Sequence, residues 1–536
     1  MKASFFHNSG RLTRLIFRRD RLRISLWLLI ITALTMITAF AYTNLFTTQQ
    51  EIMIYAETMR NPAMTAMMGP GYGLDNYTYG AMMAHTMLVL TALAVAIMNI
   101  FLVARHTRRD EESGRIEMIR SLPVGRLSNL TATTLASFTV NILLALLTGI
   151  GLFLLGIESM DLQGSLLYGA SLGVAGIFFA AVTALFVQLT ANTRNAIGYA
   201  VIFLGISYLV RALGDVSSEA LSLLSPLGLI TRTQVFVNNY WWPLLLTVAA
   251  ALAITALAFK LNSLRDLEAG LLPARSGRKT ASSWLKNPLG LALKLQRTSL
   301  IAWAAGLFIL GASYGSVFGD VDAFLESVEM YREIFIIAED IPFVEQFIAT
   351  LMSVIALIAT APALIMILKV KSEEKASRIE HLLSRAVSRK QVMGSYLLIS
   401  LAASLIMLLL SAAGMWTAAA AVMADPVPLS LFLKSALVYL PAIWALIGLT
   451  VLIIGYKPGA ALFSWIYLGY SFLVIYLGEM LQIPDWLSGL TPYGYVPKIP
   501  IEEINIPALI ILTIISIILM AAGFRGYRQR DIQLSG

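Results

Sequence analysis

Few charged residues of this chain stand in a pattern, and those that do occur twice. Asp110-Glu111-Glu112-Ser113-Gly114-Arg115-Ile116-Glu117 is matched without a gap by Glu373-Glu374-Lys375-Ala376-Ser377-Arg378-Ile379-Glu380. The match runs on through Ser121, Val124 and Arg126 onto Ser384, Val387 and Arg389. Carboxylates interleaved with guanidinium groups form ion pairs and docking surfaces. Glu111 and Arg115 stand four residues apart, as do Glu374 and Arg378, a spacing that puts opposite charges on one helical face. Acids in the first turn, Arg120 in the last and Pro123 beyond it predict a short helix over 110–122. Ile116 and Ile119, and likewise Ile379 and Leu382, add one apolar strip to each copy. One such loop alone reads as an ordinary solvated basic loop. Its recurrence favours a surface kept for a partner.

Other chemistry finds no residues to carry it. The chain has no cysteine, which removes thiolate chemistry and any disulfide framework. No His/Cys/Glu cluster suggests a metal site, and no nucleophile–base pair suggests hydrolysis, so no catalytic residue and no metal ligand is predicted. The nearest approach to a phosphate loop, Gly270 to Thr280, lacks Gly-Lys-Ser/Thr and the required spacing, and reads as solvated linker. His85 reads as a polar packing residue rather than a ligand.

The elements that must hold these loops are apolar. Of 536 residues, 58% are apolar and 13% charged, about half the charged fraction of a soluble protein. Its solvent must be largely lipid. A helix needs about 20 apolar residues to cross the hydrocarbon, and twelve segments qualify: 24–46, 80–104, 130–157, 164–191, 195–213, 241–259, 299–318, 346–368, 394–424, 431–455, 459–482 and 506–524. They are too long for barrel strands, and lipid offers backbone groups no partners, so helices follow. The Arg-rich stretch 11–23 before an apolar run resembles a signal peptide, but the run is long enough to span and has a counterpart in the second half.

With the amino terminus in the cytosol, 33 of the 39 Lys and Arg fall on the cytosolic side and 20 of the 31 acids on the outer side. This positive-inside pattern predicts both termini in the cytosol of a prokaryotic cell membrane. It also accounts for the net charge of +8 without any nucleic-acid partner.

The repeat extends beyond the loops. Arg21 and Trp27 match Arg297 and Trp303 at the first span of each half. Ser225-Pro226-Leu227-Gly228 matches Thr491-Pro492-Tyr493-Gly494 before the last span, and Arg265-Asp266-Leu267 matches Arg530-Asp531-Ile532 after it. An all-α polytopic membrane protein with two parallel six-helix repeats is therefore expected: one half over 1–262, a cytosolic linker over 263–283, and a second half over 284–536. Leu12, Leu15, Ile16 and Arg19 suggest an amphipathic helix over 9–19 lying in the cytosolic interface, with a less clearly sided counterpart over 284–296.

The spans lack charge in their middles. Arg211, Lys434 and Glu479 fall near outer ends, where long side chains reach water. Ion-coupled carriers usually need a carboxylate or histidine at depth, so energy supplied from outside the membrane is the better expectation. The outer segment 320–345 carries eight acids and one arginine, with Glu326, Glu329 and Glu333 on one helical face. It reads as a solvated helix face or as an acidic vestibule for cationic cargo.

These features together resemble the membrane subunits of ABC-2-type (type V) ABC exporters, and most nearly the twelve-span duplicated group described as polyketide-antibiotic exporters of the tetronasin type. The resemblance rests on Asn61-Pro62-Ala63 leading to Gly69-Pro70, on Glu111-Glu112-x-Gly114-Arg115-x-Glu117 with Pro123-Val124-x-Arg126, and on Ser225-Pro226-x-Gly228 and Arg265-Asp266. It implies that the loops are coupling helices, with Glu111, Glu112, Arg115, Glu117, Glu373, Glu374, Arg378 and Glu380 meeting two separate ATPase subunits that carry ATP and Mg. It implies that 9–19 is an elbow helix, and that Pro226, Gly228, Pro492 and Gly494 shape the outer turns before the last spans. Amphipathic or hydrophobic compounds such as antibiotics are the implied cargo, moved between the halves against spans 1, 2 and 5 and their repeats. Ser377 stands where Gly is typical and Ala386 where Pro is, so two unequal docking sites are expected; the Asn-Pro-Ala stretch is missing from the second half, so unequal contributions of the halves to cargo handling are expected. The alternative is an ion-coupled carrier of the major facilitator type, whose loop motif survives here only as Gly114-Arg115.

Overall fold

The computed structural model describes residues 5–266, 269–272, 280–320, 341–385, 387–423, 425–477 and 484–531. The expected acidic vestibule over 320–345, with Glu326, Glu329 and Glu333, falls almost wholly outside these residues, as do Ala386, Glu479 and part of the linker. Every regular element among the described residues is a helix, and twelve helices are long and apolar enough to cross a membrane. The chain divides into two compact units, Met1–Gly277 and Arg278–Gly536.

Unit 1 runs α1 (Ser9–Leu45), α2 (Gln49–Thr58), α3 (Pro62–Met68), α4 (Tyr79–His106), α5 (Arg108–Glu112), α6 (Arg115–Arg120), α7 (Ser128–Leu154), α8 (Leu162–Leu189), α9 (Thr193–Ser217), α10 (Glu219–Leu223), α11 (Pro226–Thr231) and α12 (Trp242–Leu264). Unit 2 runs α13 (Pro288–Gly315), α14 (Phe343–Lys375), α15 (Arg378–Leu383), α16 (Arg389–Val422), α17 (Leu429–Leu437), α18 (Leu440–Tyr456), α19 (Leu462–Leu477), α20 (Asp485–Ser488) and α21 (Ile506–Gln529). Six spans return each unit's chain to the side where it began, called the near side below.

Composition decides which spans lie inside each unit. In unit 1 the most enclosed are the second and fourth, α4 and α8, whose apolar windows are 61% and 72% buried, against 28% for α1 and 22% for α12. Their side chains are small: Ala84, Ala92, Ala96, Gly173, Ala175 and Gly176 let neighbouring backbones approach, as membrane interfaces prefer. In unit 2 the second span α14 is 78% buried and α13 and α21 are 17% buried. The exposed faces of α1, α9 and α12 are lined by Leu26, Leu29, Ile202, Leu209, Leu245 and Leu252, the side chains that lipid accepts at no cost.

Two helices depart from the expected spans. The elbow is no separate helix, because α1 begins at Ser9 and passes through a kink at Asp20 (φ −109°, ψ 18°) into the first span. The fourth span of unit 2 breaks between α17 and α18, where Pro441 has no N–H to continue the ladder.

Candidate coupling loops

On the near side of unit 1, α4 ends at Thr107, whose hydroxyl donates back to the Val103 carbonyl at 2.6 Å. The loop then takes two short turns, α5 and α6, rather than one helix over 110–122. Gly114 separates them with φ +71°, a left-handed conformation that costs a side-chain-bearing residue about 1–2 kcal/mol. This break undoes the expected pairing of Glu111 with Arg115. Arg115 Nη1 instead donates to Asp110 Oδ1 at 3.1 Å, and Arg19 of α1 grips the other side of the same carboxylate at 2.8 Å.

Glu111 points inward, 7% exposed. Arg265, just past the last span α12, donates to both of its oxygens, with Nη1–Oε2 at 3.0 Å. Arg108, with no exposed surface, donates to Glu111 Oε2 at 2.6 Å and to carbonyls at the end of α8, including Val187 at 3.0 Å. Those carbonyls end a helix and have no intrahelical donor, so a guanidinium satisfies both their hydrogen bonds and the negative end of the dipole. Arg126, at the start of α7, donates to the Arg265 carbonyl at 2.9 Å. Glu112 is tied to the first turn of α9, accepting from the N–H and hydroxyl of Thr193 at 2.7 and 2.6 Å.

Unit 2 builds the same scaffold from the matching residues. Arg530 donates to both oxygens of Glu374 at 2.7 Å. Arg378 reaches Glu373 at 2.7 Å, and Arg389 donates to the Arg530 carbonyl at 2.6 Å. Ser377 takes the left-handed turn with φ +53°. Ile116 and Ile379 are buried at 3% and 1% and anchor their short helices. Lys369 joins Glu373 at 3.2 Å, where unit 1 uses Arg19.

These contacts sort the eight predicted residues. Glu111, Glu373 and Glu374 are buried and hold the loops in shape, which corrects the expectation that they face a partner; Glu112 is exposed but engaged with Thr193. Arg115, Glu117, Arg378 and Glu380 lie on the exposed side of α6 and α15, beside Met118 and His381. Burial draws the Arg120 guanidinium below its ordinary pKa while the nearby Glu111 charge opposes it. Sequence reasoning gave Arg265 and Arg530 no role, although an arginine recurring in step with a loop acid of opposite charge is the signal of an ion pair. Arg108 left no such signal, for Lys371 stands at its place.

Two residues of the elbow's apolar strip are buried, Leu12 and Ile16, which pack with Ala132 and Ala136, with Ile119 and Val124 alongside, whereas Leu15 is exposed. At the kink in α1, Asp20 is 3% exposed and accepts from His106 Nε2 at 2.8 Å, with Arg105 at 3.0 Å. Unit 2 has Gln296 there, buried and without a hydrogen-bond partner for its amide.

On the far side, Pro226 and Pro492 open short helical turns capped by Ser225 and Thr491. A Cβ on Gly228 would lie 2.0 Å from the Ser222 carbonyl oxygen, and one on Gly494 would lie 2.2 Å from that of Ser488. Backbone meets backbone in both turns, so glycine is required. Arg211 does not reach water as expected. It is fully buried, paired with Asp215 at 3.1 Å, and donates to the Ala66 and Met67 carbonyls at the end of α3. It thereby fastens the Asn61-Pro62-Ala63 segment to the fifth span. His85 is hydrogen-bonded through both ring nitrogens, to the Tyr77 hydroxyl and the Gly69 carbonyl, each at 2.9 Å.

Among the described residues, twelve helices long and apolar enough to cross a membrane define a polytopic all-α membrane protein. The family described as the multidrug efflux system permease Rv1217c, C-terminal domain, matches residues 13–260 and 285–528. The chain is 34% identical over 537 residues to the multidrug efflux system permease protein Rv1217c of Mycobacterium tuberculosis (strain ATCC 25618 / H37Rv), a match covering 99% of this chain and 96% of that relative. The chain belongs to this family of multidrug efflux permeases.

Proposed function

We propose that the chain is the membrane subunit of an ATP-driven ABC exporter that moves amphipathic or hydrophobic compounds, drugs among them, out of a prokaryotic cell. The near side of each unit faces the cytosol in this reading, with both termini there. Two copies of a separate ATPase subunit, carrying ATP and Mg, dock on α6 and α15 through Arg115, Glu117, Arg378 and Glu380. Closure of the ATPase pair would move both loops, and each loop is joined by buried ion pairs to the end of its unit's last span. A pull on the loop would therefore move helices rather than flex a tether.

The observation that carries the reading is the doubled scaffold. Glu111–Arg265 recurs as Glu374–Arg530, Asp110–Arg115 as Glu373–Arg378, and Arg126 on the Arg265 carbonyl as Arg389 on that of Arg530. A loop that only joined two spans would have no use for three matched contacts. The family's efflux activity supports the direction and the cargo class.

The test is ATP hydrolysis by this chain co-expressed and co-purified in lipid with a candidate ABC ATPase subunit, with and without amphipathic drugs. Stable co-purification with drug-dependent hydrolysis is expected. No bound ATPase, together with transport that follows a proton gradient, would replace this reading with an ion-coupled carrier.

A further inference from the structure

Unit 1 contains a cavity of about 360 Å³ at the near-side end of α1, α4, α7 and α9. Its inner wall is apolar and aromatic, formed by Trp27, Met98, Phe101 and Ile197 among others, and its charged residues are Asp20, Arg23, Arg105 and Arg109. This is the size of a small-molecule site. The charges do not balance. Asp20 is already held by Arg105 at 3.0 Å and His106 at 2.8 Å, and Arg23 is 3.9 Å from it. Arg109 has no carboxylate partner among the described residues. One acid thus faces three arginines beside an apolar wall.

We propose that this cavity binds amphipathic organic anions, the head group between Arg23 and Arg109 and the apolar body against Trp27, Met98 and Phe101. An ionised head is drawn to guanidinium groups at the low-dielectric edge of the bilayer more strongly than in water, and an apolar body gains from leaving water. The matching positions of unit 2 do not repeat this charge set. In register with Asp20, Arg23, Arg105 and Arg109 stand Gln296, Ser299, Leu368 and Ser372, and the groove beside α13 and α16 is lined almost wholly by apolar residues.

The cavity also adjoins the coupling loop. Arg109 belongs to α5, and Thr193, which lines the cavity, is held by Glu112 of the same helix. A head group on Arg109 would bear directly on that helix. This extension rests on the exporter reading above; binding itself does not.

The test uses the whole chain in nanodiscs of zwitterionic lipid, with a dansyl fatty acid and its methyl ester as probes. The acid is expected to bind at least tenfold more tightly than the ester. The double variant Arg23→Gln/Arg109→Gln is expected to lose that tenfold while ester binding is unchanged. Arg11→Gln/Arg14→Gln, which removes the same charge from α1 outside the cavity, is expected to bind as the parent does. Displacement of the acid by phosphatidylglycerol in the disc would make a lipid head group the resident anion, and failure to displace it would make the free amphiphile the ligand; both support the site. Equal binding of acid and ester, or full acid affinity in the Arg23/Arg109 variant, would overturn it. Tight binding of the acid without stimulated hydrolysis by the ATPase complex would leave the site standing and count against the exporter reading.

Discussion

The two units share one set of buried charges and differ in another, and the difference separates shape from ligand handling. Glu111–Arg265 and Glu374–Arg530 are the same clasp, as are the arginines that reach back to the Arg265 and Arg530 carbonyls. What is shared builds the loop. What is not shared lies around the kink in the first helix, where Asp20, Arg105 and Arg109 have only Gln296, Leu368 and Ser372 as counterparts. The same contrast appears in mid-membrane. Asn99 and Asn141 pair their amides at 2.8 and 3.0 Å in unit 1, whereas in register unit 2 has Pro362 and Ser404. A duplicated chain whose copies keep one contact set and lose another has two matching loops and, at the kink of its first helix, a charge set that unit 2 does not repeat.

The largest effect should come from breaking a clasp. Arg265→Ala leaves Glu111 buried opposite Arg108 alone and should cost about 3–5 kcal/mol, read as a fall in unfolding temperature in detergent. Arg530→Ala should cost less, because Arg530 is 12% exposed where Arg265 is 4%. Equal losses would erase that distinction. Gly228→Ala and Gly494→Ala should each destabilise by about 1–3 kcal/mol or more, since a Cβ would collide with fixed backbone in both turns. A tolerated alanine at either position would show that the turns are not equivalent.

Smaller effects probe the left-handed residue in each loop. Gly114→Ala should lose about 1 kcal/mol through backbone strain alone, because no atom lies within 4 Å of the added Cβ. Ser377→Gly should gain up to about 1 kcal/mol for the same reason, offset in part by the greater freedom of glycine in the unfolded chain. Opposite signs at matched positions would confirm that both loops need the same turn and that unit 2 makes it with the poorer residue.

Much of this was legible in the chain. Twelve apolar runs, the charge asymmetry and the matched motifs give an all-helical membrane protein with six spans in each copy, because lipid leaves the backbone few alternatives. The loops themselves were found from Glu-x-x-x-Arg-Ile-Glu. Their internal geometry was not, because a single left-handed residue at Gly114 or Ser377 re-aims every charge before it. Helical spacing therefore paired Glu111 with Arg115, when its partner lay 154 positions along the chain at Arg265. Arg211 misled for a related reason. Its place near a span end suggests water, but the carbonyls at the end of α3 and the Asp215 carboxylate gave it buried partners that no local pattern announces.

The central claim, that α6 and α15 dock on a separate ATPase, is tested most directly by proximity. The chain has no cysteine, so Met118→Cys and His381→Cys each introduce a unique thiol on the exposed side of one loop. Labelled with a maleimide–benzophenone and irradiated in membranes containing the co-expressed ATPase, both variants should cross-link to that subunit, while Leu224→Cys on the far side should not. Absence of a cross-link from both loops, with the ATPase present and the labelled chain still folded, would contradict the account.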